Sequence, residues 1–272
     1  MAREQVTFWR DAALLNMEVL KATYVTHAFS RHTHEGYAIG TIESGIEAFE
    51  YLGRTYAAPA GTLVIIHPDE VHTGYAGAEG GWQYRMVYPA VDLMQKAAVE
   101  LGYTADQVPF FAQPVVSDRL LVQQFRQFHQ ALEAGDSLLA RESQLIWLMS
   151  RMICRHGELR SPWPQLQRDR KATEQIRDYL HGCYANAITL DDLSQIVNLS
   201  PLKLLRLFSR DWGLPPHRYL VQIRVQQAKR LIARGLPLSA VAADTGFADQ
   251  SHLNRHFKRL VGVTPGQYQR GC

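Results

Sequence analysis

The chain has 272 residues, enough to bury a full core and to divide into two domains. With 46% hydrophobic and 20% charged residues it has the composition of an ordinary soluble globular protein, and no apolar run approaches the roughly eighteen residues of a membrane span. The net charge of +3 conceals an asymmetry: residues 171–272 carry 14 Lys/Arg against 7 Asp/Glu, whereas residues 1–170 carry 15 against 19. A basic segment joined to a mildly acidic one predicts that the C-terminal part meets a polyanion.

In chain order, the opening MAREQVTFWRDAALLNMEVL has no uninterrupted apolar stretch of the kind a secretory signal needs. Cys154, Cys183 and Cys272 are scattered and form no CxxC pair, which points away from a disulfide framework or a cysteine zinc site and towards a cytoplasmic setting without a membrane. Residues 22–90 alternate as short strands around Tyr37–Ile42, Ala48–Leu52 and Leu63–Ile66, punctuated by Gly45, Gly53, Pro59, Gly61, Pro68 and Gly74. That spacing predicts an antiparallel sandwich or barrel. Helical periodicity follows over 91–102, 117–134 and 136–156. The last of these carries a broad apolar stripe (Leu138, Leu139, Leu145, Ile146, Met149, Met152) that suits either a core or a dimer contact. Residues 157–170, with Pro162 and Pro164 and no periodicity, read as a linker between a domain over 1–156 and a domain over 171–272.

The C-terminal segment contains a repeat. Leu204, Arg206, Phe208, Gly213, Pro216 and Tyr219 recur as Leu253, Arg255, Phe257, Gly262, Pro265 and Tyr268, all displaced by 49 residues. Upstream, Leu193 and Leu199 recur as Val241 and Phe247 at a displacement of 48, so the one-residue change falls in a turn. Each unit reads as a helix-turn-helix: a first helix (190–197, then 238–244), a tight turn and a longer second helix (201–211, then 250–261). Asp191 and Asp192 favour the start of the first helix, Ser200 before Pro201 is a cap, and Gly213 and Gly262 end the second helices. Residues 216–234 form a helical spacer with a core stripe of Leu220, Ile223, Val225, Ala228 and Ile232. A spacer that sets the second helices one duplex turn apart, about 34 Å, would let both enter the major groove from one face of DNA.

Residues 173–270 resemble the DNA-binding domain of the AraC/XylS family of transcription regulators. The strongest part is GFADQSHLNRHFKRLVGVTPGQYQR, with Leu253 where a second Phe is usual and Gln269 between the final Tyr and Arg. The resemblance implies base contacts from one side of each second helix: Leu202, Lys203, Leu205 and Arg206 from the first, and Gln250, Ser251, His252, Asn254 and Arg255 from the second. Arg206 and Arg255 suit guanine O6 and N7, and Gln250 or Asn254 suits adenine. Lys203, Arg210, Lys258 and the amides near Thr264 suit phosphates.

In the N-terminal half, His32-Thr33-His34 and the later His72 at the end of PAGTLVIIHPDEVH resemble the cupin barrel and the ligand-binding domain commonly joined to AraC-type regulators. Together the two resemblances imply an α+β multidomain chain: a cupin-like antiparallel β-barrel with flanking helices, then an all-α domain with two helix-turn-helix units joined by a linker helix. Cupin enzymes add a carboxylate a few residues after the second histidine; here Ala38 or Ile39 holds that place, and Glu35 points away on a strand. The expectation is therefore hydrogen bonding of a small-molecule effector by His32, His34 and His72, with no metal, no other cofactor and no catalytic residue. Tyr37, Trp82 and Arg85 are further pocket candidates; an inward Arg85 would indicate an anionic ligand, and Phe8-Trp9-Arg10 is placed as an arm over the pocket. The chain reads as an effector-responsive, sequence-specific regulator that binds double-stranded DNA as a homodimer. The competing readings are a cupin-type metalloenzyme with a DNA-binding tail, and a regulator whose N-terminal domain only dimerises.

Overall fold

The computed structural model describes residues 4–104, 107–158, 170–261 and 264–270. The alternating N-terminal half forms an antiparallel sheet: β1 (Gln5–Asp11), β2 (Met17–Tyr24), β3 (Ala28–His32), β4 (Ala38–Tyr51), β5 (Arg54–Pro59), β6 (Leu63–Ile66), β7 (His72–Ala76), β8 (Trp82–Tyr88) and β9 (Val115–Val116). One path runs β1-β2-β8-β4-β6-β9, while β5 and β7 pair with β4, and β3 pairs with β7.

The two strands expected at Tyr37–Ile42 and Ala48–Leu52 are one strand of 14 residues. Glycine explains the fusion. Gly45 adopts φ +74°, and the pairing of β4 with β8 shifts register between Ile42 and Ser44. A Cβ on Gly45 would lie 2.1 Å from the carbonyl oxygen of Gly81, so only glycine allows the bend without ending the strand. The first half of β4 pairs with β6 and β8 and the second half with β5 and β7, which wraps one strand around the barrel core of Phe49, Tyr51, Val64, Trp82 and Tyr84.

The N-terminal arm is a correction. Residues Phe8-Trp9-Arg10 lie inside β1, in full register with β2, and Trp9 packs edge-on against His129. Main-chain pairing along the whole segment holds it as an edge strand, away from the pocket.

Helices α1 (Val91–Val99), α2 (Arg119–Glu133) and α3 (Leu138–His156) follow. Asp118 caps α2 by accepting from the amides of Leu120 and Leu121, and its second oxygen accepts from Arg155 and His156 at the end of α3, tying the two helix ends together. The chain divides into two compact units, Met1–Ala134 with Gln144–Pro164, and Gly135–Ser143 with Gln165–Cys272. The start of α3 thus packs with the helical unit, where the sequence had placed it in the N-terminal domain. Most of the expected linker lies outside the described residues.

The helical unit contains α4 (Arg170–Gly182), α5 (Leu190–Val197), α6 (Pro201–Trp212), α7 (Pro216–Ala233), α8 (Leu238–Asp244), α9 (Gln250–Val261) and α10 (Pro265–Arg270). The two helix pairs fall within a residue of where the repeat placed them. Thr189 and Asp192 form a reciprocal capping box at α5, and Gly213 ends α6 in the left-handed region. Ser200 stands at the N-cap of α6, but its side chain makes no capping bond; Pro201 in the first turn removes one of the amides that would need it. Gly262 lies outside the described residues. Spacer helix α7 buries Val221, Val225, Ala228 and Ile232 against Phe247, Leu253 and Phe257 of the second unit. From its other side the buried Arg224 donates to the carbonyls of Tyr184 and Asn186, both at 2.8 Å, which anchors α7 to the loop before α5. Among the described residues no helix is long and apolar enough to cross a membrane.

Candidate functional site

Pairing of β3 with β7 sets His32 directly opposite His72, and His34 follows two residues later, with its carbonyl held by the amide of Asp69. The three rings converge: centroids are 4.3 Å apart for His32–His72, 4.9 Å for His32–His34 and 5.1 Å for His34–His72. His32 Nδ1 lies 2.8 Å from the Ser30 carbonyl and His72 Nδ1 lies 3.0 Å from the Glu70 carbonyl. A carbonyl only accepts, so both Nδ1 atoms carry the proton and both Nε2 lone pairs remain for a ligand.

These histidines share a pocket with Phe29, Glu47, Phe49, Tyr84, Met86 and Tyr88, whose empty volume, mouth included, is about 470 Å³. Glu47 is the residue that sequence reasoning missed. It is buried, and its Oε2 has no hydrogen-bond partner. Burial pushes its carboxyl up to about 8. Burial, together with the neighbouring His72 and His32, brings His34 down to about 4, and burial also lowers His72. At neutral pH the pocket therefore presents a protonated carboxyl beside His34 and His72, whose burial disfavours their charged forms, a mixed set of donors and acceptors. The signal for Glu47 was available: it shares parity with Phe49 and Tyr51, both buried, on the inward side of β4. A strand drawn from Ala48 stopped one residue short of it.

Three pocket candidates are corrected. Tyr37 is fully buried, but its hydroxyl donates to the Pro109 carbonyl and its ring faces His67 and Phe111. Trp82 packs into the barrel core beside Tyr24 and Tyr84 and does not line the pocket. Arg85 points outward, 2.9 Å from His129 Nδ1 and 2.7 Å from Glu133. The alternation of β8 decides this: Tyr84, Met86 and Tyr88 occupy the inner side, so Arg85 takes the outer one. The cation that would have indicated an anionic ligand is absent from the lining. The position expected to lack a carboxylate does lack one, and Glu47, from the far half of β4, brings a different carboxyl into the pocket without joining the three histidines as a ligand set. The ring nitrogens of His32, His34 and His72 lie within 4.8 Å of one another, close enough to share one metal ion, and the backbone contacts of two Nδ1 atoms suit that role as well as they suit an organic ligand.

In the helical unit, α6 exposes Lys203 and Arg210, with Arg206 half-buried between them and Arg210 paired to Asp211. Leu202 and Leu205 are buried, a correction: they belong to the apolar side of α6, where the helix packs on its neighbours. On α9, Gln250, Ser251, Arg255 and Lys258 are exposed and Asn254 is half-buried. His252, expected on that face, is buried: its Nδ1 accepts from the Ala248 amide at 3.3 Å and its ring meets Phe247 edge-on. Thr264 also departs from expectation, because its amide donates to Gln267 Oε1 inside the first turn of α10. Arg255 is 2.7 Å from Asp136.

Residues 14–149 match the model of an AraC-like ligand binding domain, and residues 193–271 match a helix-turn-helix domain. The uncharacterized HTH-type transcriptional regulator YbfI of Bacillus subtilis is 30% identical over 241 residues, covering 88% of this chain and 86% of its own. The arabinose operon regulatory protein of Escherichia coli is 26% identical over 250 residues, covering 88% and 82%. The C-terminal domain of AraT, a response regulator from Geobacillus stearothermophilus, is 27% identical with a TM-score of 0.36 over 37% of this chain and 85% of that one. With a ligand-binding barrel followed by a duplicated helix-turn-helix unit, the chain belongs to the AraC/XylS family and is a DNA-binding transcription regulator.

Proposed function

We propose that the protein is a cytoplasmic, homodimeric regulator, not an enzyme, that switches its DNA binding when a small-molecule effector enters the barrel. The observation that carries this reading is the pocket: imidazole Nε2 atoms freed by backbone contacts at Nδ1 face a space that also holds Glu47, whose Oε2 has no hydrogen-bond partner. Acceptors and a donor on aromatic walls suit a compact, uncharged or cationic polar molecule, since among the described residues no Lys or Arg lines the pocket to attract an anion. Effector binding shifts the population between two states of different DNA affinity. The test is the melting temperature of the full chain across a metabolite panel. A true effector at one hundred times its Kd stabilises the fold by about 2.7 kcal/mol, and His72→Ala abolishes that shift. A panel in which nothing stabilises the wild type, or in which His72→Ala responds equally, removes the reading.

The DNA is read by Lys203, Arg206 and Arg210 of α6 and by Gln250, Ser251, Asn254, Arg255 and Lys258 of α9, in consecutive major grooves. Arg255→Ala is expected to cost about 1–3 kcal/mol at a selected site and to relax one base position. Uniform weakening across all sequences would make Arg255 a phosphate contact instead.

A second reading of the pocket is favoured by the same Nδ1 contacts, which are also those of metal-ligating histidines. In it, His32, His34 and His72 hold a divalent transition metal through Nε2, and the metal supplies an open coordination position for the effector. Metal content of the purified full chain, compared with His72→Ala, decides between the two.

A further inference from the structure

Asp136 lies in the turn before α3, within the segment Gly135–Ser143 that packs into the helical unit. Its Oδ1 is 2.7 Å from the Arg255 guanidinium, 3.5 Å from His256 Nε2 and 3.9 Å from His252 Nε2. Asp136 is mostly buried, which disfavours charge, yet His256, Arg255 and His252 together hold its carboxyl below the ordinary value, so it is a carboxylate at neutral pH. The same segment reaches the other helix-turn-helix unit: Glu142 Oε2 accepts from the Leu190 amide at 2.8 Å, in the first turn of α5.

Two histidines four residues apart on a helix, with a carboxylate beside them, have the spacing of a metal site. The outer contacts contradict one. His252 Nδ1 accepts from the Ala248 amide, and His256 Nδ1 accepts from the Arg259 guanidinium at 3.1 Å. Each neutral ring then carries its proton on Nε2, where a metal would need a lone pair, and the two guanidiniums add positive charge. The cluster is built to surround an anion, and the anion it surrounds is Asp136.

That choice has a consequence for recognition. An arginine reads guanine through its guanidinium fork, and here the Asp136 carboxylate holds that fork. We infer that Asp136 is a built-in competitor for the reading face of α9: it occupies Arg255 in the DNA-free protein and must release it before Arg255 can contact a base. This rests on the assignment of Arg255 as a base contact. The device lowers affinity for DNA, and only a site that offers Arg255 a bidentate replacement recovers the cost of releasing it.

The test uses full-length protein and a 30-bp duplex selected from a random pool by the wild type, with affinity read by fluorescence anisotropy at fixed salt. Asp136→Asn and Asp136→Ser are compared, each with and without Arg255→Ala, and thermal melts confirm folding. Because Arg255 is partly exposed, the pair is a weak one and its release raises affinity about two- to fivefold. In the Arg255→Ala background that gain disappears, the mark of a coupled pair. Unchanged or weaker binding by both Asp136 variants would show that the carboxylate positions Arg255 for DNA, and overturns the inference. A gain that persists without Arg255 is a general charge effect and also overturns it. So does one equivalent of Zn²⁺ that the wild type retains and His256→Ala loses. If Arg255→Ala alone leaves affinity and base preference unaltered, the base-contact assignment itself fails, and the inference falls with it.

Discussion

Two histidine clusters in this protein are nearly interchangeable as lists of residues: His32, His34 and His72 with Glu47 in the barrel, and His252 and His256 with Asp136 on α9. Their chemistry is opposite. In the barrel, two Nδ1 atoms donate to carbonyls and leave Nε2 lone pairs open, while Glu47 Oε2 has no hydrogen-bond partner and burial keeps the carboxyl protonated. On α9, both Nδ1 atoms accept from N–H groups, Nε2 carries the proton, and the carboxyl is ionised, accepting from Arg255 with the two Nε2 atoms 3.5 and 3.9 Å away. What lies behind a histidine, more than the histidine itself, decides whether a cluster receives a ligand or holds an internal ion.

The comparison breaks most readily at the two carboxyls. Glu47 has a folded-state pKa near 8 against an ordinary value of 4.5. Between those values the folded chain holds a proton that the unfolded chain has lost, so stability falls as pH rises through this window. Glu47→Gln should abolish that fall and stabilise the protein at pH 9 by a few kcal/mol, on the order of the linkage energy, as read from urea midpoints. If wild type and variant have parallel profiles between pH 5 and 9, Glu47 has a partner and the contrast is lost. A somewhat smaller effect is expected when a transition metal is offered to the full chain. His72→Ala should weaken its binding by about 10- to 100-fold, while His256→Ala leaves it unchanged, in a competition titration with a chelating dye. Equal losses from the two variants would make the clusters alike after all.

Asp136→Asn should destabilise the helical unit by about 1 kcal/mol at pH 7. The sign follows from a lowered carboxylate: its contribution is present above the ordinary value of 3.8 and is lost as pH falls below it, so wild type and variant should converge in acid. The smallest expected change is from His256→Asn, which keeps an acceptor near the Nδ1 position for Arg259 while deleting Nε2. It should cost less than about 1 kcal/mol, against more for His256→Leu, which removes the acceptor that Arg259 uses.

Much of the helical unit was legible in the sequence because its signals are local. The 49-residue repeat, Gly213 and the apolar stripe of α7 each act within a few turns of their own helix, and α5 and α8 fall where the pattern put them. The convergence of His32, His34 and His72 was also legible, through the motif resemblance and the strand parity. Sidedness was not. Alternation along β8 left two faces equivalent, and only the sheet around it sends Arg85 out to Glu133 and keeps Tyr84 and Tyr88 on the pocket side. On α6 and α9, exposure of Leu202, Leu205 and His252 was inferred from motif position, whereas packing against neighbouring helices buries all three.

The sequence by itself determined the two-part organisation, the duplicated helix pairs and the basic character of the second helices, because periodicity, turn residues and charge are properties of neighbouring residues. Tertiary structure alone decided which atoms are free to act. Glu47 reaches the histidine pocket because β4 bends at Gly45 and continues, and Asp136 meets Arg255 across a sequence separation of 119 because Gly135–Ser143 packs with the helical unit. Such long-range pairings leave no periodic trace in the chain, yet they fix the protonation of each carboxyl and the tautomer of each ring.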